Sequence, residues 1–277
     1  MAITGGVKFF TGAKNLLRDG ASITASTNDA ISNYLLNYDL FTRWISSGSD
    51  DTTQETLEIA LDSSITIDRI LVRRHNWKEF TAQYWNGSAF VDFTTAFGID
   101  GALGGGISET AFSQDTAYYE FAAVSTTRVK FTIDKTQTVD AEKEAYNIYL
   151  AEELGTLEGF PRIEGFAHSK NIKRANTLSG KAIVQKSYDA VSFNMFFRIH
   201  PKQNDIDLIE TLHDREDTFL TWICGGRYGT SYFRFDQRGW RLRDIYNMQT
   251  IKPLETTYAE NIYTNGINSR MQLVESV

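Results

Sequence analysis

One cysteine and three prolines in 277 residues exclude two ways of building a protein. An intramolecular disulfide needs two thiols, so Cys224 leaves the fold without that staple. It lies in the apolar run "FLTWICGG", where a small buried thiol is a better reading than a nucleophile. So few prolines leave no long proline-rich linker. Long apolar runs are missing too. No stretch approaches membrane-spanning length, and "MAITGGVKFFTGAKNLL" has no continuous apolar segment of signal-peptide length. The expectation is a protein made in the cytoplasm without membrane insertion, leaving the cell, if at all, by a route such as lysis. An excess of basic charge is also absent. Lys and Arg number 28 against 35 Asp and Glu, a formal charge of −7. Phosphate backbones call for a basic face, so nucleic acid is not the expected main partner.

Catalytic signatures are equally scarce. The four histidines, His75, His168, His200 and His213, form no H-x-H or H-E-x-x-H spacing. Glu210 and His213 make a single E-x-x-H, whereas a di-metal carboxylate site needs two. No G-x-S-x-G elbow occurs. "GALGGG", Gly101 to Gly106, sits among strands with no following helix or lysine, unlike a phosphate-cradling loop. No carboxylate pair stands out for glycoside hydrolysis. These readings predict a non-enzymatic protein that needs no cofactor.

What is present favours strands. Aromatics reach 13%, with 18 Phe and 13 Tyr, in a chain that is 42% hydrophobic. "TLEIAL" sets Leu57, Ile59 and Leu61 on one face at period two. Ile65 and Ile67 are out of phase with Ile70 and Val72, which predicts a bulge or turn near Asp68. "FTAQYWNGSAFVDF" predicts a hairpin closed by a two-residue type I′ turn at Asn86-Gly87. Val129, Phe131 and Ile133 share one face of a further strand, and Tyr146, Ile148 and Leu150 keep period two over Ala145 to Ala151. Gly155, Gly159, Pro161 and Gly165 mark a boundary. Beyond it, "GKAIVQKSYDAVSFNMFFRI" reads as another hairpin, and 204–213 as the one helix, capped by Asn204. The fold class is mainly β, with residues 1–155 forming one domain and 156–277 a second β-rich domain carrying that helix.

The segment "NYDLFTRWISSGSDD" poses a question that the pattern alone leaves open. A catalytic loop, a sugar-binding loop and a core anchor each account for its Arg43-Trp44 pair. Together with residues 52–93, it resembles the galactose-binding-like, discoidin-type jelly-roll sandwich. The match rests on Asp39 with Thr42-Arg43-Trp44, a strand at Leu57 to Leu61, an I-x-x-I-x-L-like strand ending in His75-Asn76, and the hairpin after it. It runs from about Asn15 to Leu154. The resemblance implies that Trp44 packs under the sheets while Arg43 ties a loop. Some members bind sugar or calcium through loops at one end, which nominates Asp39, Asp50 and Asp51 as calcium ligands. It nominates His75, Asn76, Trp77 and Trp85 for a host-surface glycan.

The second half is similar to tail-tip or baseplate proteins of tailed bacteriophages. The residues that carry this likeness are "ELGTLEGFPRIEGF", "DIDLIETLHDREDTFLTWICGGRYG", and the closing segment with Tyr258 to Asn268. That resemblance implies a structural component of a virion tail, partnered by other tail proteins in a homo-oligomeric ring. In "YFRFDQRGWRLRDIY", Arg234, Arg241 and Arg243 interleave with Phe233, Phe235 and Trp240, the expected assembly surface. The alternative is a carbohydrate-binding module used in host adsorption.

Overall fold

Antiparallel pairing dominates the computed structural model, which describes residues 7–11, 20–36, 42–94, 96–98, 101–103, 105–157, 162–176, 182–199, 203–214, 219–223, 245–250, 255–259 and 266–275. The chain is mainly β, with a jelly-roll sandwich followed by a second β-rich part carrying one short α-helix. Two compact units result. The first is built mainly from Phe10–Leu154, the second mainly from Gly155–Trp222 and Tyr246–Val277. No helix among the described residues is long and apolar enough to cross a membrane.

Two long strands organise the first unit, Glu55–Arg73 and Thr116–Thr136. Each runs through both layers of the sandwich. Residues 55–60 pair with 128–133, and 69–73 pair with 116–120. Trp77–Trp85 extends the first layer beside Phe131 and Ile133, while Asn147–Ala151 extends the second beside Ile70 and Val72. Alternation supplies the core from both sides: Leu57, Ile59, Val129, Phe131 and Phe80 from one layer, Ile70, Val72, Ala117, Tyr119, Ile148 and Leu150 from the other. Each fully buried Leu, Ile or Phe contributes about 2–3 kcal/mol of transfer free energy.

The phase break at Ile65–Ile67 is real, though its form differs from the expectation. Asp68 alone faces Phe121, Ala122 and Ala123, so the surplus residues lie on the partner strand. A second register shift sets Leu61 to Ser64 against Thr127. The strands bend here, because a bulge raises local twist and turns a strand out of its plane. As a result both ends of Glu55–Arg73 reach one end of the sandwich, where residues 142–146 bond to residues near each.

Two hairpin expectations need correction. Asn86-Gly87 is not a two-residue type I′ turn, since only Gly87 has positive φ (102°). The Asn86 carboxamide oxygen instead accepts from Ser88 N, Ser88 Oγ and Ala89 N, and Trp85 pairs with Phe90 across a four-residue connection. A side chain that copies a backbone carbonyl outcompetes the tighter turn. The described part of "GKAIVQKSYDAVSFNMFFRI", from Ala182 on, contains no internal turn either. Ala182–Ile199 is one strand, antiparallel to Arg162–Asn176 on one side and to Gly266–Glu275 on the other.

The other large sheet, mainly of the second unit, has the order Glu153–Leu157, Val7–Thr11, Phe219–Ile223, Ile245–Thr250, Gly266–Glu275, Ala182–Ile199, Arg162–Asn176, with Glu255–Ala259 also paired to Gly266–Glu275. The helix spans Gln203–His213, one residue earlier than expected, which places Asn204 inside its first turn. Ile209 and Leu212 are buried on its inner face.

Candidate functional site

The loops gathered at one end of the sandwich are held by buried polar struts. Trp44 is fully buried, and its Nε1 donates to Thr27 O at 3.1 Å. Arg43, the residue before the short strand Trp44–Ile45, is exposed and pairs with Glu144 at 2.8 Å. The pair thus divides into a core anchor and a loop tie. The Lys143 side chain is also fully buried, and its ammonium donates to Asp50 O (2.6 Å) and Thr53 O (2.8 Å). Ser46 N donates to Lys143 O at 2.8 Å, and Lys143 N returns a bond to Ser46 Oγ. Asn76 completes the set, donating through Nδ2 to Glu142 O and accepting from Glu144 N.

The carboxylates proposed for calcium are occupied differently. Asp50 accepts from Thr52 N, Thr52 Oγ1 and Thr53 Oγ1, and the Thr52 bonds chiefly hold its pKa down at about 2. Asp51 accepts from Thr136 N and Oγ1, and the backbone N–H of Thr136 chiefly lowers its pKa. Asp39 lies outside the described residues. Among the described residues no three metal-ligating side chains cluster. The carbonyls of Asp50 and Thr53 already hold a cation, the Lys143 ammonium.

Over this frame lies an exposed cluster that sequence patterning did not single out. The guanidinium carbons of Arg43 and Arg74 each stand 5.9 Å from the centroid of the Tyr146 ring, within reach of a cation–π contact. Both arginines are exposed and Tyr146 is half-buried. Arg74 has φ of +52°, and the other positive-φ non-glycine residues among those described, Asn28 and Asp140, belong to the same group of loops. A bulky side chain in the left-handed region is uncommon, and such strain concentrates at functional sites. Nothing in the sequence marks it, because glycine is the usual sign of that conformation and Arg is not.

The four residues nominated for glycan contact do not form one site. His75 is 3% exposed and Trp77 0%, so of the two tryptophans nominated for glycan contact Trp77 belongs to the core. Both sit in an aromatic cluster with Phe80 and Phe112. The His75 Nδ1 accepts from Trp77 N at 3.1 Å, so the neutral ring carries its proton on Nε2, and burial holds its pKa down at about 3. Asn76 is a strut. Trp85 lies at the far end of the same nine-residue strand, about 27 Å away at strand rise. There it packs edge-on against Phe90, with the Arg128 guanidinium 5.4 Å from its ring. Arg234, Arg241 and Arg243 lie outside the described residues.

No family model matches this sequence, and no curated protein matches it. Solved structures do. Chitosan-binding module 1 from a chitosanase/glucanase of Paenibacillus sp. IK-5 is 15% identical, with a TM-score of 0.39, over 50% of this chain and 97% of that module. A Clostridium perfringens module solved with GalNAc-β-1,3-galactose is 14% identical at a TM-score of 0.37, over 49% of this chain and 97% of its own. A pectin-binding carbohydrate-binding module is 18% identical at 0.35, over 47% and 88%. At these identities and TM-scores the likeness assigns no ligand to this chain.

Proposed function

We propose that the protein is non-catalytic and that its sandwich binds saccharide through the loop end. One observation carries the reading: the Arg43–Tyr146–Arg74 cluster is exposed, strained at Arg74, and mounted on loops locked by Trp44, Lys143 and Asn76. A site works when its supports are rigid before the ligand arrives. Tyr146 is half-buried with both guanidiniums over its ring, and the arginines offer donors for a sugar's hydroxyls. The experiment is a glycan panel probed with the full chain, a Tyr146→Ala variant and a Trp85→Ala variant. The expected result is retention lost at least tenfold in Tyr146→Ala and unchanged in Trp85→Ala. Equal loss in both variants, or no retention by the parent, defeats the proposal.

A second reading concerns the other unit, as a structural component of a virion tail or baseplate. What one observation supports is its coarser part, pairing between copies: the 15 residues of strand Arg162–Asn176 end the sheet order with no described strand along the outer edge. Long free edges are avoided in monomers and are used for pairing between subunits. A closed ring requires such a heterologous contact to repeat about an axis. Light scattering coupled to size exclusion, across a concentration series, is expected to show a discrete oligomer. A monomer at every concentration counts against self-assembly by the isolated chain.

A further inference from the structure

We infer that the loop-end site selects acidic saccharides, seating a uronate-type carboxylate on Arg74; this rests on the saccharide-binding reading above and adds the ligand's charge. The two arginines of the cluster differ. Arg43 already has a carboxylate, Glu144, at 2.8 Å. Arg74 is exposed and has no ion pair or hydrogen bond from its guanidinium among the described residues. Its backbone φ of +52° belongs to a position that glycine occupies without strain, yet the residue there is a long, permanently charged cation. The Tyr146 ring 5.9 Å from the guanidinium carbon restricts that side chain, so less freedom is lost when a ligand binds.

Acids of the same group of loops are engaged, and Asp115, beside Arg74 by strand register, accepts from Thr116 Oγ1. Asp50 and Asp51 accept from Thr52, Thr53 and Thr136, Glu142 from Gly48 N, and Asp140 from Asp51 N. A guanidinium fork matches a carboxylate through two parallel N–H···O bonds, which a neutral hydroxyl cannot reproduce. The inferred ligand therefore carries a carboxylate on a ring able to lie against Tyr146.

The test titrates the full chain calorimetrically with oligosaccharides of galacturonate, glucuronate and mannuronate, each beside its methyl ester, and with neutral hexose oligomers. The variants are Arg74→Gly, which also removes the backbone strain, and Arg74→Gln. The expected result is at least tenfold tighter binding of an acid than of its ester by the parent. Both variants should lose that preference, Arg74→Gln at the parent's melting temperature and Arg74→Gly at one no lower. Equal binding of acid and ester, or of neutral oligomers alone, overturns the inference and leaves the saccharide reading standing. A preference that survives in both variants removes Arg74 from the site, and no binding at all overturns both readings.

Discussion

His75 shows why a residue type is a poor guide to its role. Placed beside Asn76 and Trp77, it looks like a sugar contact in the sequence, yet it lies stacked on Phe112 at 5.2 Å inside the core. Its folded pKa, about 3, is far below that of an unfolded histidine, about 6.5. Between those values the unfolded chain binds a proton that the folded chain refuses, so stability falls as pH falls. The slope is about 1.4 kcal/mol per pH unit, or roughly 2 kcal/mol lost between pH 6.5 and 5. Chemical denaturation across that range should show it, and His75→Phe should remove most of the slope whatever its stability at neutral pH. An unchanged slope in the variant assigns the acid sensitivity elsewhere. Arg43 and Trp44 make the complementary point. Adjacent in sequence, they part as the resemblance implies: Trp44 is fully buried and Arg43 is exposed against Glu144.

The strands were legible because alternation reports which face is buried. Leu57, Ile59, Val129, Phe131 and Ile133 all point into the core as period two requires. The break at Asp68 was legible for the same reason, since a phase change must be absorbed somewhere. Which strand carries the surplus was not, because that depends on a partner some fifty residues away. The Asn86 turn was misread because its geometry is decided by a carboxamide, not by the Asn-Gly pair. Half of the candidate site was hidden likewise. Arg74 bears no glycine signal, and Tyr146 reads as one more apolar step in an alternating run. The loops themselves depend on Lys143, which joins two segments about ninety residues apart. Lys143→Met keeps the volume but strips Asp50 O and Thr53 O of their buried donor. The expected cost is about 3 kcal/mol in urea unfolding, with weaker saccharide binding as the 50–53 turn loosens. A variant as stable as the parent refutes the strut.

For the molecule as a whole, the proposed division of labour is between a sandwich that binds and a second β unit that attaches. The net charge of −7 supplies no long-range pull on an anion, so the proposed seating of an acidic saccharide rests on the local Arg74 guanidinium. The central claim is that the binding surface is the loop end and not the Trp85–Phe90 face. Hydrogen-exchange mass spectrometry on the full chain, with and without the saccharide retained best in the glycan panel, tests it most directly. Protection is expected to be confined to residues 43–54, 74–76 and 137–146, with the 85–92 and 126–130 segments unchanged. Protection centred on Trp85, Phe90 and Arg128 would contradict it.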